Sequence, residues 1–458
     1  MMRQLRSILG RPALALCALV TACDAGSVPP DPTVSARKAV EWGLPLVIST
    51  RTMATLGGLI GVNNLFNQIA LSNTSTRFIV APNQDTLYSA AVIDLRGEPQ
   101  VLSVPDVTDR YWVYQFLDPW TNTFAYLGTR ATHGKGGVFV LTPPGWTGTL
   151  PPNTTQIAVP NQQAFLLGRY LVRSPDDTAN VAALPRTLQP LSAYLGLPPG
   201  PLPPDLPGPV SPTQAVLQDG PQLLDELGDA LAVNPPDPVL EGAIPPDVSS
   251  IGVGPGAHPW QDVLHRNDAT LNHALTEGLA SAFAEVTAAG VGSATARAGW
   301  TTRLDIGVFH DDLTRAVVAV YVWGANVPEE AVYANSRQDA AGQTYDAAHR
   351  YLLHFAAGAL PPVDPKLGFW SLTLYGTDMF FVDNALGRYA IGDRTPDLTP
   401  NPDGSLDLLV QTDEPAGKRG NWLPAPPSGP FVLIFRMYLP QKPVLDGTYR
   451  LPGVQRVD

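Results

Sequence analysis

Cysteine is nearly absent from this sequence of 458 residues, which contains only Cys17 and Cys23. Both lie close to the N-terminus, so the rest of the chain can form neither disulfides nor cysteine-ligated metal sites. The stability of the fold must therefore come from the burial of apolar side chains. The length of the chain is sufficient for two or three hydrophobic cores.

Histidine is also scarce, and the signatures of several enzyme classes are missing. The seven histidines show no metal-ligand spacing with a second histidine or a carboxylate on a predicted element. The sequence has no G-x-S-x-G, H-E-x-x-H or Walker motif, and Gly252, Gly254 and Gly256 do not form a dinucleotide-binding fingerprint. We therefore expect neither a metal ion nor another cofactor.

Charged residues make up only 15% of the sequence, and their net charge is −12. An acidic surface is unsuited to nucleic acid, so we expect no nucleic-acid partner. Proline is abundant, with 48 residues. Many prolines and few charges favour a loop-rich β protein over a helical one.

The apolar run at the N-terminus, Pro12–Ala22, is too short to span a bilayer, which takes about 20 residues. Three arginines precede it, at positions 3, 6 and 11, and small residues follow it. A basic start, a short apolar run and a small-residue site are the layout of a secretory signal peptide. We assign residues 1–22 to this signal.

The four residues Val20-Thr21-Ala22-Cys23 resemble a bacterial lipobox, in which the cysteine thiol receives a diacylglycerol. We therefore predict lipidation of Cys23 and a Pro-rich tether at 23–34. The protein would then be anchored by its lipid to a membrane of the bacterial envelope, on the periplasmic or the surface side. The alternative is an ordinary signal peptide cut nearby, with Cys23 unmodified.

Short apolar and aromatic runs, separated by Pro, Gly, Asn and Asp, recur over residues 77–173 and again from Phe369 onward. Such runs at nearly regular spacing predict antiparallel sandwiches or barrels. Helical spacing predicts helices at 36–48 (capped by Ser35 and interrupted or kinked at Pro45), at 211–232 and 260–289, and a shorter one after Asp311. No internal repeat is apparent, because the two β segments share no motif.

Two motif clusters carry a family resemblance. APNQDTLYSAAVIDL (81–95) with PDVTDRYWVYQFLDPWTNTFAYLGTR (105–130) resembles the domain of unknown function DUF1254. FWSLTLYGTDMFFVDNALGRYAIGD (369–393), NWLPAP (421–426) and FVLIFRMYLPQKPVLDGTYRLP (431–452) resemble its usual partner, DUF1214. The resemblance implies no activity.

The fold that this resemblance implies is mainly β with a helical middle region. It consists of an N-terminal antiparallel β-sandwich at 35–185, a helical and Pro-rich region at 186–330, and a C-terminal jelly-roll-like β domain at 331–458. These boundaries assign most of the mature chain to the two related domains.

Polar and aromatic residues are dense between residues 83 and 130. On the predicted strand 111–117, Tyr111 and Gln115 share one face, where an amide among apolar neighbours needs partners. Arg110 and Arg130 could pair with Asp85, Asp109 or Asp118. Such a network is either structural or the polar floor of a ligand pocket.

In the pocket interpretation, the site takes a small amphipathic or aromatic molecule. Its predicted ligand-binding residues are Asn83, Tyr88, Arg110, Tyr111, Gln115, Trp120, Asn122, Arg130 and Arg436. We expect Asp85, Asp109, Arg110, Gln115, Asp118 and Arg130 to converge in one polar cluster, with Asp118 and Trp120 at its accessible edge.

Two other functions are compatible with the sequence. The protein could be an enzyme acting on such a molecule, with Asp85, Asp109 or Asp118 as general base and tyrosines as acid. It could also be a purely structural envelope protein, with its two β domains packed rigidly through the helices. A two-domain β fold is compatible with all three functions.

Overall fold

The computed structural model describes residues 30–77, 80–206, 213–292, 297–309, 311–384 and 386–458. The predicted signal peptide and Cys23 lie outside these ranges, as do Ser211 and Pro212 at the predicted start of a helix. All structural statements below concern the described residues.

The first β-sandwich consists of two sheets formed by nine strands. The strands are β1 (Phe66–Asn67), β2 (Thr86–Asp94), β3 (Gln100–Val104), β4 (Trp112–Leu117), β5 (Thr123–Gly128), β6 (Gly137–Thr142), β7 (Thr155–Ala158), β8 (Gln163–Leu171) and β9 (Thr187–Pro190). Sheet I has the order β1-β2-β8-β4-β5, and sheet II has the order β7-β6-β3-β9. Their apposed faces form one core, in which Trp112 stacks on Tyr170 at 5.4 Å.

The second β-sandwich also has nine strands. They are β10 (Thr301–Thr302), β11 (Ala331–Ser336), β12 (Tyr351–Phe355), β13 (Phe369–Tyr375), β14 (Ala390–Gly392), β15 (Leu406–Gln411), β16 (Trp422–Pro424), β17 (Val432–Tyr438) and β18 (Gln455–Arg456). Sheet III has the order β10-β11-β17-β13-β14, and sheet IV has the order β16-β15-β12-β18. All strand pairs in both sandwiches are antiparallel except β6–β7 and β15–β16.

The helices are α1 (Pro32–Ile60), α2 (Thr178–Ala182), α3 (Leu191–Tyr194), α4 (Gln222–Val233), α5 (Pro246–Ser250), α6 (Pro259–His265), α7 (Ala269–Gly292), α8 (Asp312–Val322) and α9 (Lys442–Leu445). The longer ones form a helical layer beside the sandwiches. Buried side chains of α1, α4, α7 and α8 share one apolar core. The prediction of a mainly β protein with a helical middle region is confirmed.

Helix α1 is longer than the sequence predicts. It begins after Asp31, whose carboxylate accepts from the Thr33 N–H at 2.9 Å, and not after Ser35. Pro45 lies within it without ending it, because buried residues on both sides outweigh the missing backbone hydrogen bond. Its length and composition would allow α1 to cross a membrane, but 56% of its most apolar window is buried inside the protein.

The other helix predictions are largely confirmed. Helix α8 follows its cap Asp311, whose carboxylate accepts from the Thr314 N–H at 2.7 Å. The helix predicted at 260–289 is two helices, α6 and α7, because the chain turns between Arg266 and Asp268. In the described part of 211–232, a 3₁₀ turn at Thr213–Gln218 precedes α4.

The two sandwiches have the same connectivity. The order β2-β8-β4-β5 in sheet I corresponds to β11-β17-β13-β14 in sheet III, and β7-β6-β3-β9 in sheet II corresponds to β16-β15-β12-β18 in sheet IV. The parallel pairs occupy corresponding places, and β1 and β10 extend corresponding edges. The chain therefore contains an internal structural repeat, although no repeat is apparent from the motifs of the sequence.

The strand registers define which residues of the repeat correspond. Arg169 of β8 lies opposite Tyr88 and Val113, and Arg436 of β17 lies opposite Tyr333 and Ser371. The remaining corresponding pairs used below are Trp112 with Trp370, Gly128 with Gly392, Arg130 with Arg394, and Asp85 with Glu330. The repeat escapes detection in the sequence because it retains only short matches, such as Gly-x-Arg after β5 and β14.

Candidate functional site

The outer faces of sheets I and III meet at an interface between the two sandwiches. Tyr111 and Val113 point into this interface, and Trp112 and Tyr114 point into the sandwich core, as the predicted alternation along the strand requires. The Tyr111 ring lies 5.2 Å from that of Tyr438 and 5.5 Å from that of Phe369. The interface is therefore aromatic at its centre.

Residues 81–85, which we call the first lead-in segment, connect the start of β2 to the second sandwich. Arg436 donates to the Ala81 carbonyl at 2.8 Å, Tyr375 to the Pro82 carbonyl at 2.6 Å, and Asn83 to the Tyr438 hydroxyl at 3.3 Å. The further partners are Gly387 and Tyr389 for Gln84, and Ser371 and Arg394 for Asp85. Every residue of this motif thus bonds to the second sandwich.

Residues 324–330, the second lead-in segment, precede β11 and bond to the first sandwich in a corresponding way. Gln115 donates to the Ala325 carbonyl at 2.8 Å, and Arg169 donates to the Gly324 carbonyl at 3.2 Å. The partner that Gln115 needs at this buried position is therefore the backbone of the other repeat. The interface is self-complementary, like that of a twofold dimer.

Two reciprocal ion pairs connect the repeats. Asp85 pairs with Arg394 at 3.0 Å, and at the corresponding positions Glu330 pairs with Arg130 at 2.7 Å. Burial raises the pKa of Glu330, and the Arg130 guanidinium opposes this shift. The predicted partners of Arg130 were wrong, because its acid lies 200 residues later in the chain.

Arg169 and Arg436 have no such partner. The two residues are only 6% and 3% exposed, and no carboxylate oxygen of the described residues lies within 4.0 Å of either guanidinium. Arg169 donates to Gln115 at 3.2 Å and Arg436 to Thr373 at 2.8 Å, two residues at corresponding positions. Each repeat therefore contributes one buried cation held by neutral acceptors.

Several tyrosine hydroxyls beside these arginines accept a hydrogen bond but donate none within the described residues. Tyr88 accepts from the Asn83 N–H at 3.1 Å, Tyr438 from the Asn83 amide, and Tyr333 from Asn326 at 2.9 Å. The buried Tyr111 hydroxyl lies beside Glu330, and neither it nor Glu330 Oε1 has a hydrogen bond of good geometry. These four tyrosines are within electrostatic range of Arg169. The cluster is rich in donors and poor in acceptors.

The structure places Arg110 and Asp109 in a different network. Arg110 pairs with Asp177 at 2.6 Å and with Asp109 at 3.2 Å, and Arg173 also contacts both acids. Although burial acts to raise the pKa of Asp177, hydrogen bonds from the Arg173 N–H and the Arg110 side chain lower it. These contacts hold the segment after β8 against the start of β4.

Asp118, Trp120 and Asn122 lie in the turn between β4 and β5, which inserts into the helical layer. The Trp120 ring is fully buried against Trp42 of α1 at 4.9 Å. Asn122 donates to both Asp118 (2.8 Å) and Glu241 (2.5 Å). Burial, together with the Glu241 carboxylate, raises the pKa of Asp118 to about 7. The accessible edge predicted at Asp118 and Trp120 is wrong, because both residues are sealed inside.

The six residues expected in one cluster are therefore divided. Asp85, Gln115 and Arg130 belong to the interface, Asp109 and Arg110 to the Asp177 network, and Asp118 to the helical layer. Four residues of the interface were not predicted from the sequence: Arg169, Glu330, Tyr333 and Arg394. Two signals could have identified them. One is the Gly-x-Arg match between 128–130 and 392–394, and the other is the pairing of a tyrosine with an arginine on neighbouring strands.

An open groove of about 660 Å³ lies elsewhere, between α7 and the residues preceding α4. It contains none of the predicted site residues; its lining includes Leu217, Pro221, Leu279 and Phe283. No group of three or more His, Cys, Asp or Glu side chains suited to a metal ion occurs in the described parts of the chain.

Comparison with protein families identifies both repeats. Residues 62–190 match the model of the family DUF1254, and residues 330–442 match that of the family DUF1214. Both families are described as proteins of unknown function. The chain belongs to the DUF1254/DUF1214 family. In this family member the DUF1254 match contains β1–β9 and the DUF1214 match contains β11–β17, so each falls on one copy of the repeat.

A solved structure from Vibrio parahaemolyticus shares the fold of this DUF1254/DUF1214 protein. The VPA0106 protein from Vibrio parahaemolyticus is 24% identical, with a TM-score of 0.71 over 93% of this chain and 100% of that one. An uncharacterized protein from Burkholderia cenocepacia is 14% identical, with a TM-score of 0.47 over 93% of this chain and 96% of that one. No curated protein matches the chain.

Proposed function

We propose that this DUF1254/DUF1214 protein is an exported, lipid-anchored protein of the bacterial envelope that binds a small amphipathic or aromatic molecule at the interface of its two sandwiches. The observation that carries the binding proposal is the set of tyrosine hydroxyls, Tyr88, Tyr333 and Tyr438, that accept but do not donate among the described residues. A buried donor without an acceptor is costly, and a ligand oxygen would supply the acceptor.

The aromatic rings beside these hydroxyls suit the apolar part of such a ligand. Tyr111, Phe369 and Tyr438 form contacts across the interface, and ligand sites generally combine an apolar wall with a few polar anchors. Tyr126 and Tyr333 are only half-buried, so the cluster reaches the surface beside them. This edge is the entry that we propose for a ligand.

The binding proposal is tested by the unfolding midpoint of the full protein, purified in detergent and followed by its tryptophan fluorescence. A ligand specific for the native state must raise this midpoint. We expect at least one compound from a panel of aromatic and alkyl acids, amides and alcohols to do so. Tyr333→Phe should reduce that shift, and Tyr321→Phe, which alters a tyrosine of α8, should leave it unchanged. A panel without any shift favours a purely structural protein.

The anchoring proposal rests on the sequence around Cys23. Cys23→Ser should abolish labelling by a clickable palmitate and release the protein from membranes or leave an uncleaved precursor. Cys17→Ser is the matched control, because Cys17 lies within the predicted signal peptide and its loss should change neither readout. Retained label and unchanged membrane association in Cys23→Ser would contradict the proposal.

A further inference from the structure

We infer that the ligand carries a carboxylate, which binds at the interface between Arg169 of the first repeat and Arg436 of the second. This inference rests on the proposed binding function and adds the chemical class of the ligand. It is carried by the charges of the interface. Two arginines form ion pairs with acids of the other repeat, whereas Arg169 and Arg436 have no acid as a partner among the described residues.

The balanced positions are the two reciprocal ion pairs. Asp85 with Arg394 and Glu330 with Arg130 provide one acid for each of two arginines. Arg169 and Arg436 are two further buried cations whose hydrogen bonds go to Gln115, Asn326, Thr373 and backbone carbonyls. Glu330 is within electrostatic range of Arg169 but is already paired with Arg130. The two acids of the reciprocal pairs therefore match two of the four arginines and leave two positive charges over.

An unpaired buried charge is among the most costly features that a folded protein can retain. In a self-complementary interface, corresponding residues occupy corresponding places, so like charges recur in both halves. Arg169 and Arg436 are such a like-charged pair, and both lie within electrostatic range of Tyr88 and Tyr438. An anion bound among these groups would offset both charges.

The donors at this place suit a carboxylate. A guanidinium presents a planar fork of N–H groups that matches a carboxylate, and both arginines have neutral acceptors that an anion could displace or supplement. The Tyr88 and Tyr438 hydroxyls, connected through Asn83, supply further donors. The aromatic side chains of Tyr111 and Phe369 are next to Tyr438 and can contact the apolar body of the ligand.

Matched probes separate this inference from the proposed function. The unfolding midpoint of the full protein is measured with benzoate, 4-hydroxybenzoate and octanoate, with the corresponding amides, and with phenyl phosphate. We expect the carboxylates to raise the midpoint and the amides to raise it little or not at all. Equal shifts by acids and amides would overturn the carboxylate inference and leave the proposed function standing. A shift by phenyl phosphate alone would also overturn it, and no shift by any probe would overturn both.

Variants locate the effect. Arg169→Gln and Arg436→Gln should each weaken the Kd of the active carboxylate by roughly tenfold or more, because each removes one partner of a buried charge pair. Arg186→Gln is the matched control, since Arg186 is also buried and bonds to the carbonyls of Leu184, Val181 and Ala182, outside the interface. Equal weakening by the control would contradict the proposed location.

Arg169→Lys and Arg436→Lys address the possibility that a glutamine variant fails to fold. Lysine keeps the positive charge but cannot form two parallel hydrogen bonds. We expect these variants to fold with a midpoint near that of the parent protein and to retain part of the carboxylate shift. Folded lysine variants with a completely unchanged Kd would overturn the role of the two arginines.

Discussion

Asp85 of the first repeat forms an ion pair of 3.0 Å with Arg394 of the second, although 309 positions separate them in the chain. Asp85 also accepts from the Ser371 hydroxyl at 2.7 Å. The corresponding pair, Glu330 with Arg130, runs in the opposite direction across the same interface. The motif around Asp85 that identifies the family therefore holds the two sandwiches together.

The Glu330–Arg130 pair should respond differently to removal of its two members. The Glu330 side chain is 1% exposed and that of Arg130 is 35% exposed. Arg130→Gln strands a buried carboxylate and should cost about 3–5 kcal/mol in the free energy of unfolding. Glu330→Gln should cost less, because Arg130 can reach water. Denaturant titrations measure both, and Lys135→Gln, in an exposed pair with Asp106, is the control expected to change the free energy of unfolding little. Equal costs for the two variants would contradict this asymmetry.

Stability should decrease as pH rises from about 4 towards 7, in part because of Asp118. Its pKa is raised to about 7 in the folded state by burial and by Glu241, whereas an unfolded aspartate titrates near ~3.9. The folded state therefore binds the Asp118 proton more tightly than the unfolded state does. The stability that results is fully present below the unfolded pKa of Asp118 and is lost as pH rises through its folded pKa. Asp118→Asn should flatten this dependence. Chemical unfolding of both proteins at several pH values checks it, and parallel curves would contradict the assignment.

Arg110→Ala should destabilise the protein although Arg110 lies outside the interface. The substitution leaves Asp177, whose side chain is 9% exposed, without its closest cation. We expect a loss of about 3–5 kcal/mol at neutral pH. Arg173→Ala is the control, because the Arg173 side chain is 47% exposed and its contact with Asp177, at 3.5 Å, is longer than that of Arg110. The ligand-induced shift should persist in Arg110→Ala, and its selective loss would instead place Arg110 in the binding site.

Gly128 and Gly392 should be equally intolerant of a side chain if they occupy the same place in the repeat. A Cβ on Gly128 would lie 2.2 Å from the Trp112 carbonyl oxygen, and one on Gly392 would lie 2.4 Å from that of Trp370. Both carbonyls are backbone atoms that cannot move aside cheaply, so Gly128→Ala and Gly392→Ala should each lower the unfolding midpoint. Gly58→Ala, in a helix with open space around it, should be neutral or stabilising. Tolerance at either of the first two positions would weaken the equivalence.

The sequence predicted the fold well because its signals are local. Alternation along 111–117 placed Tyr111 and Trp112 on opposite faces, and the punctuation by proline and glycine marked the strands. The interface was less predictable, because its partners are far apart in the chain. Arg130 finds its acid at Glu330, and Gln115 finds its acceptor at Ala325. No local pattern specifies such pairs.

The density of polar residues between residues 83 and 130 correctly indicated unusual packing. It did not indicate which of these residues lie together in the structure. Sequence proximity suggested one cluster, whereas β4 passes from the Asp177 network through the interface to the helical layer within about ten residues. Asp109, Gln115 and Asp118 therefore serve three environments. A strand that crosses a whole domain places neighbouring residues in different surroundings.

The two lead-in segments also constrain when, during synthesis, the interface between the two sandwiches can form. The first one, at 81–85, emerges early during synthesis, but its partners extend to Arg436 and Tyr438, close to the C-terminus. Until β17 has been made, sheet III lacks its central strand, and Ala81 and Asn83 lack their partners Arg436 and Tyr438. If the chain is exported from its N-terminus, as we propose, the first sandwich leaves the cytoplasm before the last strands of the second. During this interval its uncovered interface is accessible to chaperones.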